Sequence, residues 1–323
     1  MSAPSLRSTR NLPAALHASG FLRPAAFISS PAAMQREWTP SDALHYTRWL
    51  ATHHYENFHV VSFLLPKRLH QDFYNVYSFC RWADDLGDEI GDSAESLRLL
   101  AWWRGELKAA YSGRATHPVF VALSQTIARH QLPIGPFDDL IKAFEQDQTV
   151  TRYRDWDELF QYCRYSANPV GRLVLGLCGY RDEPRQLLSD ATCTALQLAN
   201  FWQDVTIDWL KDRVYLPLDL LDSHGYSLDS LAARKFDPRF RAAMRDAVEV
   251  ARGLFLEGLP LAGMVDRRLA IDLELFSRGG LKVLEKIERQ DYNVLQARPA
   301  ISKLERVGLL LSAVLRRGFA RAA

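Results

Sequence analysis

The sequence predicts an all-α protein, and three observations carry that expectation. Apolar residues recur at three- and four-residue steps through Trp82–Asp88, Ala94–Tyr111 and Cys193–Leu210. No Asn-Gly or Asp-Gly turn joins alternating apolar and polar runs, as a β-rich chain would need. Helix-breaking residues punctuate the text at Gly113, Pro133 to Pro136, Pro184, Pro217 and Pro260.

Taken in order, residues 1–38 form a leader that differs from the rest. Its first 36 positions hold no Asp or Glu but carry Arg7, Arg10, Arg23 and Arg36. That composition resembles an organelle transit peptide. Four prolines interrupt any long amphipathic helix, so a disordered leader is the reading adopted. An all-α domain follows over residues 39–300. Ser93 with Ser96 marks one helix start, and Ser189 or Asp190 is a reasonable N-cap for the helix ending at Leu210. Residues 301–323 are basic, with Arg306, Arg316, Arg317 and Arg321 around an apolar block. They read either as a helix lying on anionic lipid or as one docked on the domain.

Composition excludes several classes. The chain has 323 residues, 48% hydrophobic and 24% charged, as a globular protein does. Forty basic and 38 acidic residues leave a net charge of +2, too small for a dedicated nucleic-acid binder. The four cysteines, Cys80, Cys163, Cys178 and Cys193, form no C-x-x-C pair and read as reduced, mostly buried thiols of a cytoplasmic protein. No apolar run reaches the about 18 residues of a membrane span. Phosphate-loop, dinucleotide-binding, nucleophile-elbow and H-E-x-x-H motifs are all missing from the text.

Two polar stripes carry the chemistry. Tyr77, Arg81, Asp84 and Asp88 step by four, three and four; Gln197, Asn200, Asp204 and Asp208 step by three, four and four. Each set falls on one helix face. Carboxylates four apart repel, and these are flanked by Phe79, Trp82, Leu86, Phe201, Trp202 and Val205 rather than by lysines. Such acids need a cation to stay charged at tolerable cost. Mg²⁺ suits them, because it takes a few carboxylates and keeps positions for phosphate oxygens. A lone pair of this kind is usually an exposed face; two pairs suggest helices facing across a cavity. Arg81 is either a phosphate partner or an i, i+4 partner of Asp85. Arg213, followed by Tyr215, is either a phosphate partner or an exposed loop charge.

These residues resemble the squalene and phytoene synthase family of head-to-head prenyl synthases. The matching text is Arg81-Trp-Ala-Asp84-Asp85-Leu-Gly-Asp88-Glu89, then Gln197-Leu-Ala-Asn200-Phe-Trp-Gln-Asp204-Val-Thr-Ile-Asp208, then Asp212-Arg213-Val-Tyr215-Leu-Pro217. His54-Tyr-Glu-Asn57-Phe58 matches the segment before the first acidic helix, and the likeness runs to about Gln296. It implies an isoprenoid-synthase helical bundle around one central cavity. It implies Mg²⁺ held by Asp84 and Asp88 on one side and by Asn200, Asp204 and Asp208 on the other. It places His54, Asn57, Tyr77, Arg81, Gln197, Arg213 and Tyr215 around a prenyl diphosphate.

One stretch departs from the family text Y-C-x-x-V-A-G-x-V-G. Here Tyr162-Cys163-Arg164-Tyr165-Ser166-Ala167-Asn168-Pro169-Val170-Gly171 puts Ser166 for Val and Asn-Pro for the Gly-x pair. That variant looks like the hydroxysqualene synthase branch of bacterial hopanoid biosynthesis. The implied reaction is ionisation of presqualene diphosphate and capture by water. Tyr165 or Tyr162 then moves the proton, Arg81 steadies the leaving group, and Asn168 either places the water or merely kinks the helix. The rival reaction is condensation of two prenyl diphosphates to a presqualene- or phytoene-type product. A catalytically silent assembly relative should have lost acids from one stripe, and none is lost. The oily product makes contact with the inner membrane face and handover to neighbouring pathway enzymes reasonable expectations. Use of a nicotinamide cofactor is not legible in the text.

Overall fold

The computed structural model describes residues 20–53, 65–302 and 305. They form α1 (Pro24–Ile28), α2 (Pro31–Met34), α3 (Pro40–His53), α4 (His70–Asp88), α5 (Ser93–Tyr111), α6 (Pro118–His130) and α7 (Gly135–Gln146). Then come α8 (Trp156–Ser166), α9 (Asn168–Leu177), α10 (Glu183–Leu210), α11 (Leu218–Ser223), α12 (Leu228–Ala232), α13 (Pro238–Gly258) and α14 (Arg267–Arg289). No strand occurs among the described residues; Arg152 and Val214 make an isolated bridge. The all-α expectation is met.

Helix starts follow local chemistry. Asp155, Asp182, Asp237 and Asp266 each accept a backbone N–H of the first turn, with proline in the first turn of α10 and α13. The start at Ser93 is met, since α5 begins there, and the other start read from sequence needs correction. The helix ending at Leu210 begins a full two turns earlier than expected, capped by Asp182. Ser189 is buried inside it, and Asp190 pairs with Arg172 at 2.5 Å instead of capping. For α5 the cap is Asp92, whose carboxylate accepts from Glu95 N–H at 2.8 Å. The expected breaks all separate or begin helical segments, and Gly113 (φ +71°) ends the α5 turn in a conformation that favours glycine.

The leader expectation fails over residues 20–38. Phe27 is 2% exposed, with its ring 5.2 Å from Trp82, 6.0 Å from Tyr46 and 6.2 Å from Trp38. Burying such a ring is worth roughly 1.5–3 kcal/mol, enough to hold two short helices against α3 and α4. Residues 1–19 lie outside the described residues, as do all but three of the expected tail, 301–323.

The interior divides in two. An N-terminal core joins α3 to α7 through Phe79, Trp82, Trp103, Phe120 and Phe137. A C-terminal core gathers α8, α10, α13 and α14 around Trp202, Phe240, Met244, Phe255 and Leu284. The long α10 packs mainly on α13, α9 and α14. Two glycines allow this. A Cβ at Gly258 would overlap the Thr192 hydroxyl, and one at Gly280 would run into the Phe255 ring.

Candidate active site

The end of α4 meets the loop after α10, and Gln197 of α10 shares a cavity with Asp84 and Asp88, while Asp204 and Asp208 lie outside its lining. Asp88, at the end of α4, accepts from Arg213 at 3.2 Å and from Lys211 at 3.4 Å, both in the loop after α10. Asp84, Asp88, Gln197, Arg213 and Tyr215 line one cavity of about 270 Å³, with Leu140, Ala143 and Phe144 of α7 as its apolar wall. The cavity sits just below the roughly 300–1,000 Å³ usual for small-molecule sites.

Arg81 is buried and pairs with Asp85, with Asp84 at 3.1 Å and with Glu89 at 3.1 Å. The ion pair with Asp85 that the spacing allowed is therefore present. Burial pushes the Asp85 carboxyl up to about 7 against the pull of Arg81. Tyr77 is half-buried on the same helix and does not line the cavity. On α10, Asp208 is raised to about 7 by burial and by Asp204, opposed by Lys211 and Arg213. Asp204 accepts both donors of Arg298, one at 3.0 Å. Asn200 is exposed. Phe79, Trp82, Phe201 and Trp202 are buried core rings.

The donor set fits a hard cation. Asp84, Asp88, Asp204 and Asp208 offer only oxygen, the donor a hard cation takes. No three His, Cys, Asp or Glu side chains already form a cation cage among the described residues. An ion held here would complete its shell with water and phosphate oxygen, the habit of Mg²⁺.

Behind the acids stands a hydroxyl-bearing wall. Tyr215 stacks on Phe201 with centroids 3.6 Å apart and planes 7° apart. Tyr153 and Tyr162 lie against Tyr215 at 5.7 and 5.9 Å. Tyr162 donates to Asp147 Oδ2 at 3.1 Å. Burial pushes the Asp147 carboxyl up to about 6, while Arg213 and Tyr162 pull it down.

This pairing of acidic helices across a cavity has known counterparts. Residues 51–305 match the family model described as squalene/phytoene synthase. The chain belongs to the squalene/phytoene synthase family. A hydroxysqualene synthase of Rhodopseudomonas palustris is 34% identical over 278 residues, 84% of this chain and 93% of that one. A phytoene synthase of Thermus thermophilus is 33% identical over 289 residues, 89% of this chain and 96% of that one. The crystal structure of squalene synthase HpnC from Alicyclobacillus acidocaldarius superposes with a TM-score of 0.76 at 44% identity, covering 83% of this chain and 99% of that one. The isoprenoid-synthase helical fold expected from the motifs is thus the observed one. Members of this squalene/phytoene synthase family are prenyl-diphosphate-processing enzymes.

The structure sorts the remaining expected site residues. Tyr162 is in the wall. Tyr165 is outside the lining: its hydroxyl meets Gln161 and its ring lies under Lys142 at 3.7 Å. Asn168 is also outside the lining. It begins α9 before Pro169, and its Oδ1 accepts from Thr194 at 2.8 Å, so it joins two helices. His54 and Asn57 lie outside the described residues. Sequence reasoning missed Asp147, Lys211 and Arg298. Only the Lys211–Arg213 loop gave a hint of cations; Asp147 and Arg298 have no partner at helical spacing.

Proposed function

We propose that the chain is a hydroxysqualene synthase, ionising presqualene diphosphate and capturing the carbocation with water. The observation that carries this is one cavity that gathers Asp84 and Asp88 of the first stripe, Gln197 of the second, the Arg213 cation and a hydroxyl-bearing wall. Relatives named hydroxysqualene synthase support it, at 34% and 32% identity.

Asp84, Asp88, Asp204 and Asp208, with Asn200 beside them on α10, would hold Mg²⁺. Bound Mg²⁺ supplies charge stabilisation to the departing diphosphate. Arg213 and Lys211 now sit on Asp88. Their charges offer bidentate and point contacts to phosphate oxygens in exchange. Arg298 plays the same part for Asp204. Arg81 keeps Asp84 in place from its buried ion pairs. Gln197 and Tyr215 border the diphosphate end, while Leu140, Ala143 and Phe144 exclude water from the prenyl chain. The Tyr215, Tyr162 and Phe201 faces suit a passing cation. No described helix is long and apolar enough to cross a membrane. Release of an oily product at a lipid surface remains part of the proposal.

A second reading has its own support: phytoene synthases match almost as well, so condensation of two prenyl diphosphates is the rival. One assay separates them. The protein is given Mg²⁺ and heavy-oxygen water, with presqualene diphosphate or with farnesyl diphosphate. Labelled hydroxysqualene from the first substrate alone supports the proposal. Presqualene diphosphate formed from the second moves the chain to the condensing branch. Asp84→Ala and Asp204→Ala should each lower turnover by about 10³-fold with helix content retained. Wild-type turnover in either would remove that acid from the metal site.

A further inference from the structure

The wall of the cavity carries two polar atoms that the reaction described so far does not use. Asp147 follows the end of α7. Its Oδ2 accepts from Tyr162, but its Oδ1 is buried with no hydrogen-bond partner among the described residues. Ser166 ends α8, one helical turn after Tyr162. Its Oγ is likewise buried without a partner among the described residues. Both residues line the cavity.

An unsatisfied buried polar group costs about 1–3 kcal/mol. Two on one wall mark a place that water fills, given room and at least two polar partners. The room exists: about 270 Å³ against the roughly 30 Å³ a water occupies in the liquid. We infer that Asp147 and Ser166 hold the water that captures the carbocation, and that Asp147 takes its proton.

The step balances. The carbon–oxygen bond to diphosphate breaks, and the electron pair leaves with the diphosphate. The water oxygen gives a lone pair to the cationic carbon, and the new carbon–oxygen bond forms. One water proton passes to the free Oδ1 of Asp147 and leaves later with the product. Ser166 Oγ accepts the other water hydrogen and so aims the oxygen lone pair. The groups facing Asp147 suit the role. Burial raises the basicity of the carboxylate, while Arg213 and the Tyr162 hydroxyl, which donates to its other oxygen, hold it charged. Tyr153 adds a third buried hydroxyl without a partner among the described residues. Tyr165 and Asn168, the residues the sequence favoured for proton and water, are committed to Gln161 and Thr194.

This inference rests on the hydroxysqualene reading, and the test keeps the two apart. Wild type, Asp147→Asn, Asp147→Glu, Ser166→Val and Ser166→Ala are given presqualene diphosphate, Mg²⁺ and heavy-oxygen water. Released diphosphate and labelled alcohol are measured separately. Absence of labelled alcohol from wild type sinks the functional reading and this one with it. With wild type active, Asp147→Asn should cut the alcohol-to-diphosphate ratio about tenfold or more, with unlabelled hydrocarbon making up the difference. Ser166→Val should lower the same ratio, Ser166→Ala should lower it less, and Asp147→Glu should restore part of it. An unchanged ratio in Asp147→Asn overturns the assignment. So does a parallel fall of alcohol and diphosphate in both Asp147→Asn and Ser166→Val, because ionisation would then be what the wall supports.

Discussion

The molecule holds two aromatic clusters that differ in what their polar atoms face. In the N-terminal core, Trp82 stacks on Trp103 with centroids 5.1 Å apart, and both close on His117 at 4.5 and 5.0 Å. That cluster is sealed: His117 Nδ1 accepts from Val119 N–H at 3.3 Å, and none of these rings lines the cavity. In the C-terminal core, Tyr215 and Tyr162 line the cavity, Tyr162 donating to Asp147 and Tyr215 backed by Phe201. Similar rings at similar distances thus serve different ends. The sealed cluster supplies dispersion and buried area. The open one turns the same packing into a rigid mount for donors beside Asp147.

The largest expected effect breaks the sealed side. Trp103→Ala should cost about 3–5 kcal/mol of stability, measured by urea unfolding. Turnover per folded molecule should be retained; a selective loss of turnover would mean the two clusters are coupled. On the open side, Tyr162→Phe should lower turnover about 10²-fold, equivalent to about 2.7 kcal/mol of barrier. Its melting temperature should change far less than that of Trp103→Ala. If the variant instead loses stability and keeps turnover, the wall is structural.

Acid sharpens the contrast. Burial pushes the His117 imidazole down to about 3 from an ordinary 6.5. The unfolded chain therefore takes up a proton between those values and the folded chain does not. Stability falls as pH drops from about 6.5 toward 3, by up to about 1.4 kcal/mol per unit from this residue. His117→Asn should flatten that slope, and unfolding curves at three acid pH values would show it. The smallest effect expected is at the start of α10. Asp182→Ala removes the α10 cap and should cost about 1 kcal/mol with kinetics unchanged.

The sequence made some of this legible for a physical reason. Helical periodicity is local, so the stripes on α4 and α10 stood out from a few turns of text. Tyr77, Arg81, Asn200, Asp204 and Asp208 sat on those stripes, yet none lines the cavity, since a face does not say how far it turns. Asp147 and Arg298 were invisible because their partners come from distant chain segments: Tyr162 is 15 residues away and Asp204 is 94. Ser166 and Asn168 were both noticed as departures. Only the packing of α9 on α10 reveals that Asn168 is spent on Thr194 while Ser166 remains available. The leader misled because its four prolines, read as helix breakers, outweighed three aromatic residues, Phe21, Phe27 and Trp38, that dock it.

The glycine seams of α13 and α14 bear on any attempt to remake this protein for other prenyl chains. Gly258 and Gly280 leave no volume for a methyl group, so diversity introduced there would be spent on misfolding. Leu140 and Phe144 line the cavity from α7, where exchange of volume for volume is the substitution expected to cost least. A library confined to α7 would vary the apolar wall of the cavity while leaving Asp84, Asp88 and Arg213 as they stand.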